Sequence, residues 1–162
     1  MTIVFSLLTI FISLATFSIA FSQMKIASAK NKLDLYNKRF NIYVTALEYF
    51  QACWHKSYKE MEEKSFAITH AYRESRFLFA IDDGIYKTLG EIQQNGATIL
   101  AFEKYKYEKE NNLTPHRLES ETLHKNACQA RLDFQKNLES LEAQMEKYIQ
   151  FKEVSGWSMF KK

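Results

Sequence analysis

One proline and four glycines in 162 residues leave almost no turn chemistry. An all-β sandwich or barrel needs a turn signal about every 8–12 residues, so that class is excluded and an all-α chain is expected. Two cysteines cannot build a disulfide framework. Charge of one sign is also scarce: 22 Lys and Arg stand against 19 Asp and Glu. The small excess is concentrated in one stretch, which argues against a nucleic-acid platform. No Gly-rich phosphate loop, H-E-x-x-H, nucleophile elbow or C-x-x-C occurs, so no cofactor is expected. Internal repeats and low-complexity tracts are missing as well. The length suits one domain with an attached segment and leaves no room for a second large domain.

The most telling absence is local. From Thr2 to Met24 there is no charged side chain, and the run is almost wholly Leu, Ile, Phe, Val, Ala, Ser and Thr. At about 1.5 Å per residue it crosses a hydrocarbon core of ~30 Å. Its Ser and Thr can bond back to carbonyls of their own helix. Residues 1–24 are therefore expected to be a transmembrane anchor. A cleaved signal peptide is the rival, since Ala20-Phe21-Ser22 resembles a small-x-small cleavage site. Against it, the start carries no Lys or Arg, whereas Lys25, Lys30, Lys32, Lys38 and Arg39 follow the apolar run. By the positive-inside rule this places the N-terminus outside and the rest in the cytoplasm, the arrangement of a bacterial inner-membrane protein, with both thiols reduced. Lys25, Lys30 and Lys32 then lie where anionic lipid head groups attract them.

Beyond the anchor, residues 25–155 read as a cytoplasmic helical bundle. Ile26, Ala29, Leu33, Tyr36, Phe40, Tyr43, Leu47, Phe50 and Trp54 alternate steps of three and four, a coiled-coil-like seam. The first helix is expected to run unbroken to about Lys59. The charged stretch Lys59–Lys64 separates it from a second apolar segment, Ser65–Ile81, with Phe66, Ile68, Tyr72, Phe77, Leu78 and Phe79. Asp82-Asp83-Gly84 reads as a turn and cap for a third helix along Ile85, Leu89, Ile92, Gly96, Ile99 and Glu103. Gly90 and Gly96 either permit a close helix crossing or mark a kink. Thr114 and Pro115 then suit the cap and first position of a fourth helix. Its seam is Leu123, Ala127, Ala130, Phe134, Leu138, Leu141, Met145 and Tyr148. Short loops make neighbours antiparallel, which returns residues 156–162 to the bilayer. Trp157, Phe160, Lys161 and Lys162 have the composition of an interfacial tail.

Few residues could carry chemistry. Cys53, His55, His124 and Cys128 fall near one level of such a bundle, about 40–45 Å above the membrane, so Cys53, His124 and Cys128 form a conceivable zinc set. Cys53 and His55 diverge by about 200° around a helix, which opposes a four-ligand site. Packing explains a buried Cys equally well. Arg117-x6-His124 fits the R-x(4–6)-H spacing of helical ribonucleases that pair Arg and His at a dimer interface, with His as acid or base and Arg on phosphate. An exposed first-turn Arg and a surface His explain the same residues. The aromatics fall on seams, where they pack, and not among basic residues on an exposed face.

The stretch Lys32-Leu33-Asp34-Leu35-Tyr36-Asn37-Lys38-Arg39-Phe40-Asn41-Ile42-Tyr43, followed by Arg76-Phe77-Leu78-Phe79 and Asp82-Asp83, resembles uncharacterised bacterial single-pass membrane proteins with a helical cytoplasmic part. The likeness covers about residues 5–105 and implies architecture only. In outline, such proteins are similar to membrane effectors or accessories of phage-defence systems that oligomerise. The function expected is a membrane-anchored interaction or oligomerisation protein without catalytic activity. Its partners would be lipid and a second copy or another protein. Phe40, Tyr43, Leu47, Phe134, Leu138 and Leu141 would carry the packing. A membrane-tethered ribonuclease using Arg117 and His124 is the alternative.

Overall fold

The computed structural model describes residues 2–55, 57–113 and 120–149. Among these residues there is no strand. Four α-helices, α1 (Thr2–His55), α2 (Tyr58–Leu78), α3 (Ile85–Glu110) and α4 (Ser120–Ile149), are joined by short connections, one holding a 3-10 turn at Ile81–Asp83. Met1–Asn37 falls in one structural unit and Lys38–Gln150 forms another, so α1 contributes to both. The expected cap at Thr114-Pro115 and the tail 156–162 lie outside the described residues.

No Pro or Gly occurs anywhere in α1, which lets the helix run for 54 residues. In its first unit the large apolar side chains described from Ile3 to Met24 are exposed. Three of its polar members are satisfied locally: Thr9, Ser13 and Thr16 each donate to the carbonyl four residues earlier at 2.8 Å. An apolar helix that hides its own hydroxyls in this way presents hydrocarbon on every side.

The second unit is a helical bundle with one continuous core. On α3 and α4 the buried residues include most of those the periodicity marks: Ile85, Leu89, Ile92, Gly96 and Ile99, and Ala127, Ala130, Phe134, Leu138, Leu141 and Met145; Thr88 and Phe102 are buried as well, while Glu103, Leu123 and Tyr148 are half-buried. On α1 the deepest stripe is Ile42, Ala46, Tyr49 and Cys53, with Tyr43, Leu47 and Phe50 half-buried beside it. Phe40 and Trp54 are exposed. The buried face is thus turned one residue, about 100°, from the aromatic seam read from the sequence. Gly96 accounts for part of the turn, because its missing side chain leaves the space that the Tyr49 ring of α1 occupies. A Cβ built on Gly96 would lie close against the Tyr49 ring, so glycine at this position is a requirement of the α1–α3 crossing. Tyr49 then packs on Phe134 at 5.7 Å between ring centres, and Phe50 meets Phe134 edge-on at 5.3 Å.

The α1–α2 boundary also differs from expectation. Helix α1 ends at His55, and the charged stretch Lys59–Lys64 belongs to α2 instead of separating two segments. Ser57 is the cause. Its Oγ accepts from the Glu60 N–H at 3.5 Å while Glu60 Oε2 accepts from the Ser57 N–H at 3.3 Å, a reciprocal capping box. Helix α2 buries Met61, Ile68, Ala71 and Ser75, and directs Phe66 and Phe77 outward.

At the α2–α3 turn, Gly84 adopts φ 77° and itself occupies the N-cap of α3, so neither Asp82 nor Asp83 caps that helix. The Asp83 carboxylate accepts hydrogen bonds from Lys147 Nζ and the Tyr148 hydroxyl of α4 instead.

Candidate functional site

Three groups of side chains could serve a function. The first is the charge-free part of α1. Its most apolar 18-residue stretch has mean hydropathy 2.0 and none of it is buried, so one helix is long and apolar enough to span a membrane. Lys25, Lys30 and Lys32 are exposed on the same helix just after that run, and Lys25 Nζ sits 4.7 Å from the centre of the Phe21 ring. Arg39, grouped with them by sequence, does different work. Its Nε donates to the Leu78 carbonyl at 3.0 Å, and its guanidinium lies 4.3 Å from the Tyr148 ring centre and 5.7 Å from that of Phe79. It therefore ties α1 to the end of α2 and to α4.

The second group surrounds Cys53. Burial pushes the Cys53 thiol up to about 12, the nearby Arg131 opposing and Glu103 reinforcing the shift, so the thiol stays protonated and unreactive at neutral pH. Arg131 Nη2 donates to Glu103 Oε1 at 2.8 Å, and Lys106 Nζ lies 2.9 Å from Glu103 Oε2. Burial works to raise the Glu103 carboxyl, but these two hydrogen bonds outweigh it and hold it below the usual carboxylate range. Tyr49, also in this core, has a buried hydroxyl without a hydrogen-bond partner, and burial raises its pKa. The arrangement is that of an ion pair bracing a core. It offers neither a nucleophile nor an open cleft.

The third group lies on the outer face of α4. His124 and Cys128 meet there, with Cys128 Sγ 3.7 Å from His124 Nε2 and 4.0 Å from Nδ1. The Phe102 ring packs on the imidazole at 5.2 Å between centres. Cys53 is buried and Cys128 exposed. Among the described residues no three His, Cys, Asp or Glu side chains gather as a metal site, so the set Cys53, His124 and Cys128 is not assembled within one chain. Arg117 lies outside the described residues, as do Trp157, Phe160, Lys161 and Lys162. Of the ribonuclease pair only His124 is placed, beside Phe102 and Cys128.

Of the expected packing residues, Phe134, Leu138 and Leu141 are buried, Tyr43 and Leu47 are half-buried, and Phe40 is exposed. The Tyr43 hydroxyl donates to Glu142 Oε1 at 2.8 Å. The knot of Arg39, Phe79, Asp83, Lys147 and Tyr148 was not anticipated. Its members come from four different segments, and no spacing in the sequence links them. The capping box at Ser57 is written in the sequence as S-x-x-E, masked by the longer charged stretch that it opens.

Comparison with protein families, with characterised proteins and with solved structures gave no match.

Proposed function

We propose that this protein is a membrane-anchored helical interaction module that assembles with further copies or a partner protein and carries out no catalysis itself. The observation that supports it most is the charge-free Thr2–Met24 segment, fully helical, with its most apolar stretch unburied and with Thr9, Ser13 and Thr16 bonded back to the helix's own carbonyls. Hydrocarbon exposed over that length in water would be a severe solubility liability, whereas in a bilayer it is the ordinary condition of a spanning helix. The lysines that follow favour the orientation with the N-terminus outside and the bundle in the cytoplasm.

The bundle is read as antiparallel. Contacts between helices support this: Tyr58 meets Tyr107, Gln93 bonds Thr69 and Tyr72 stacks on Tyr86, so numbers rise on α2 as they fall on α3. Tyr49 with Phe134 and Tyr43 with Glu142 run in opposite order between α1 and α4. Among the described residues the polar hollow lined by Glu91, Asn95, Asp133 and Lys136 is open to solvent, which favours surfaces over an enclosed substrate site. Phe66 and Phe77 on α2, 72% and 86% accessible, and Ile81 at 95%, are large apolar side chains left outside the core. Phe66, His70, Arg73 and Phe77 follow one stripe of α2.

The test is the mass of the full-length protein extracted in mild detergent and corrected for bound detergent. A defined multiple of the 19.1 kDa chain is expected, or one chain held with a stoichiometric partner. A single chain that brings no partner out of the membrane would contradict the proposal.

A further inference from the structure

His124 and Cys128 are four residues apart on one face of α4, and their ligand atoms are already at coordination spacing. Zinc held tetrahedrally by a thiolate at about 2.3 Å and an imidazole at about 2.0–2.1 Å separates sulfur from nitrogen by about 3.6 Å. The observed Sγ to Nε2 distance is 3.7 Å. Both side chains are exposed, and Phe102 packs on the imidazole from the α3 side. Sγ is nearly equidistant from the two ring nitrogens, so the imidazole must turn about χ2, against the Phe102 ring, for one lone pair to point at a shared ion. Among the described residues no third His, Cys, Asp or Glu completes the set. One chain thus offers half of a tetrahedral sphere. One turn further along the same stripe, Leu132 is 55% exposed, an apolar side chain next to the half-site.

We propose that Zn2+ bridges two copies of this chain, each giving His124 and Cys128, with the two Leu132 side chains packed beside the ion. The second copy is the occupant for a geometric reason that rests on the membrane-anchored reading. Chains inserted in one bilayer with the same sidedness pair about an axis along the membrane normal. Equal residues then stand at equal height, so the His124–Cys128 pairs of two copies are level with each other and can share one ion. The soft nitrogen and sulfur donor set favours zinc over magnesium or calcium. Each Cys128 thiol gives its proton to water as the Zn–S bond forms, two protons per ion.

The experiment uses the full-length protein in mild detergent under reducing conditions, purified without chelator and titrated with Zn2+, with Co2+ as an optical reporter. One metal per two chains is expected, with the visible spectrum of a tetrahedral S2N2 cobalt centre, and EDTA should halve the mass of the bridged unit. His124→Ala and Cys128→Ser, both at exposed positions, should each weaken Zn2+ binding roughly 100-fold or more while leaving helical content unchanged. One zinc per chain without a change in mass, or binding indifferent to both substitutions, would overturn the bridge. A particle that stays oligomeric without metal and in both variants would overturn the bridge and leave the interaction reading standing. A protein that is monomeric, partnerless and metal-free throughout would overturn both.

Discussion

Tyr49 and Gly96 show how a single pair decides a helix crossing. The tyrosine ring lies where a Cβ on residue 96 would stand, and its hydroxyl is buried without a partner. Gly96→Ala should therefore destabilise the bundle by about 1–3 kcal/mol, despite the gain in helix propensity, because the ring or the backbone must shift. Tyr49→Phe removes an unsatisfied buried group and keeps the ring, so it should be neutral or stabilising by up to ~1 kcal/mol. Urea unfolding followed by circular dichroism measures both; a stabilising Gly96→Ala would mean that the two helices do not approach this closely. The two thiols give a second check at this scale. Cys128 is exposed and Cys53 is buried, so a maleimide should label one thiol in the folded protein and two after denaturation. Labelling of both at equal rates would contradict the burial that pushes Cys53 up to about 12.

At the scale of elements, Ser57 and Asp83 fix where helices begin and how they are tied. Ser57→Ala removes one half of the capping box and should cost about 0.5–2 kcal/mol, with the loss read as a lower midpoint of unfolding. No change would mean that α2 starts elsewhere. Hydrogen bonds from Lys147 and then Tyr148 hold the Asp83 carboxyl below its ordinary value of 3.8. A depressed acid stabilises the fold above its unfolded pKa, and that contribution fades as pH falls through the lower folded value. Asp83→Asn should therefore flatten the loss of stability below about pH 4, and an unchanged acid limb would show that the knot does not persist in solution. The sequence revealed α3 and α4 well, because each carries a regular stripe with polar residues elsewhere and their cores follow it. Helices α1 and α2 were harder. Their aromatics repeat at helical spacing, but periodicity cannot tell a buried aromatic from one half-covered beside a small-residue stripe. Gly96 bears on that difference by leaving space for the Tyr49 ring, and it matters only once two helices are brought together. The Asp83 knot was illegible for the same reason, since hydrogen bonds between distant segments leave no local pattern.

At the scale of the whole molecule, the chain places a charge-free helical run and a bundle with an aromatic core in one polypeptide. The first was plain from composition, because the absence of charge over 23 residues from Thr2 to Met24 has few other physical meanings. The site was much less legible: the spacing of His124 and Cys128 was visible, but their exposure and the 3.7 Å approach needed the structure. The central claim is that Thr2–Met24 spans a membrane and remains part of the working protein. It is tested most directly by washing membranes that carry the full-length chain at alkaline pH and measuring the intact mass of what stays with the lipid. The account predicts that the protein remains in the lipid fraction at the mass of the uncut chain. Release into the wash, or a mass lacking residues up to about Ser22, would contradict it.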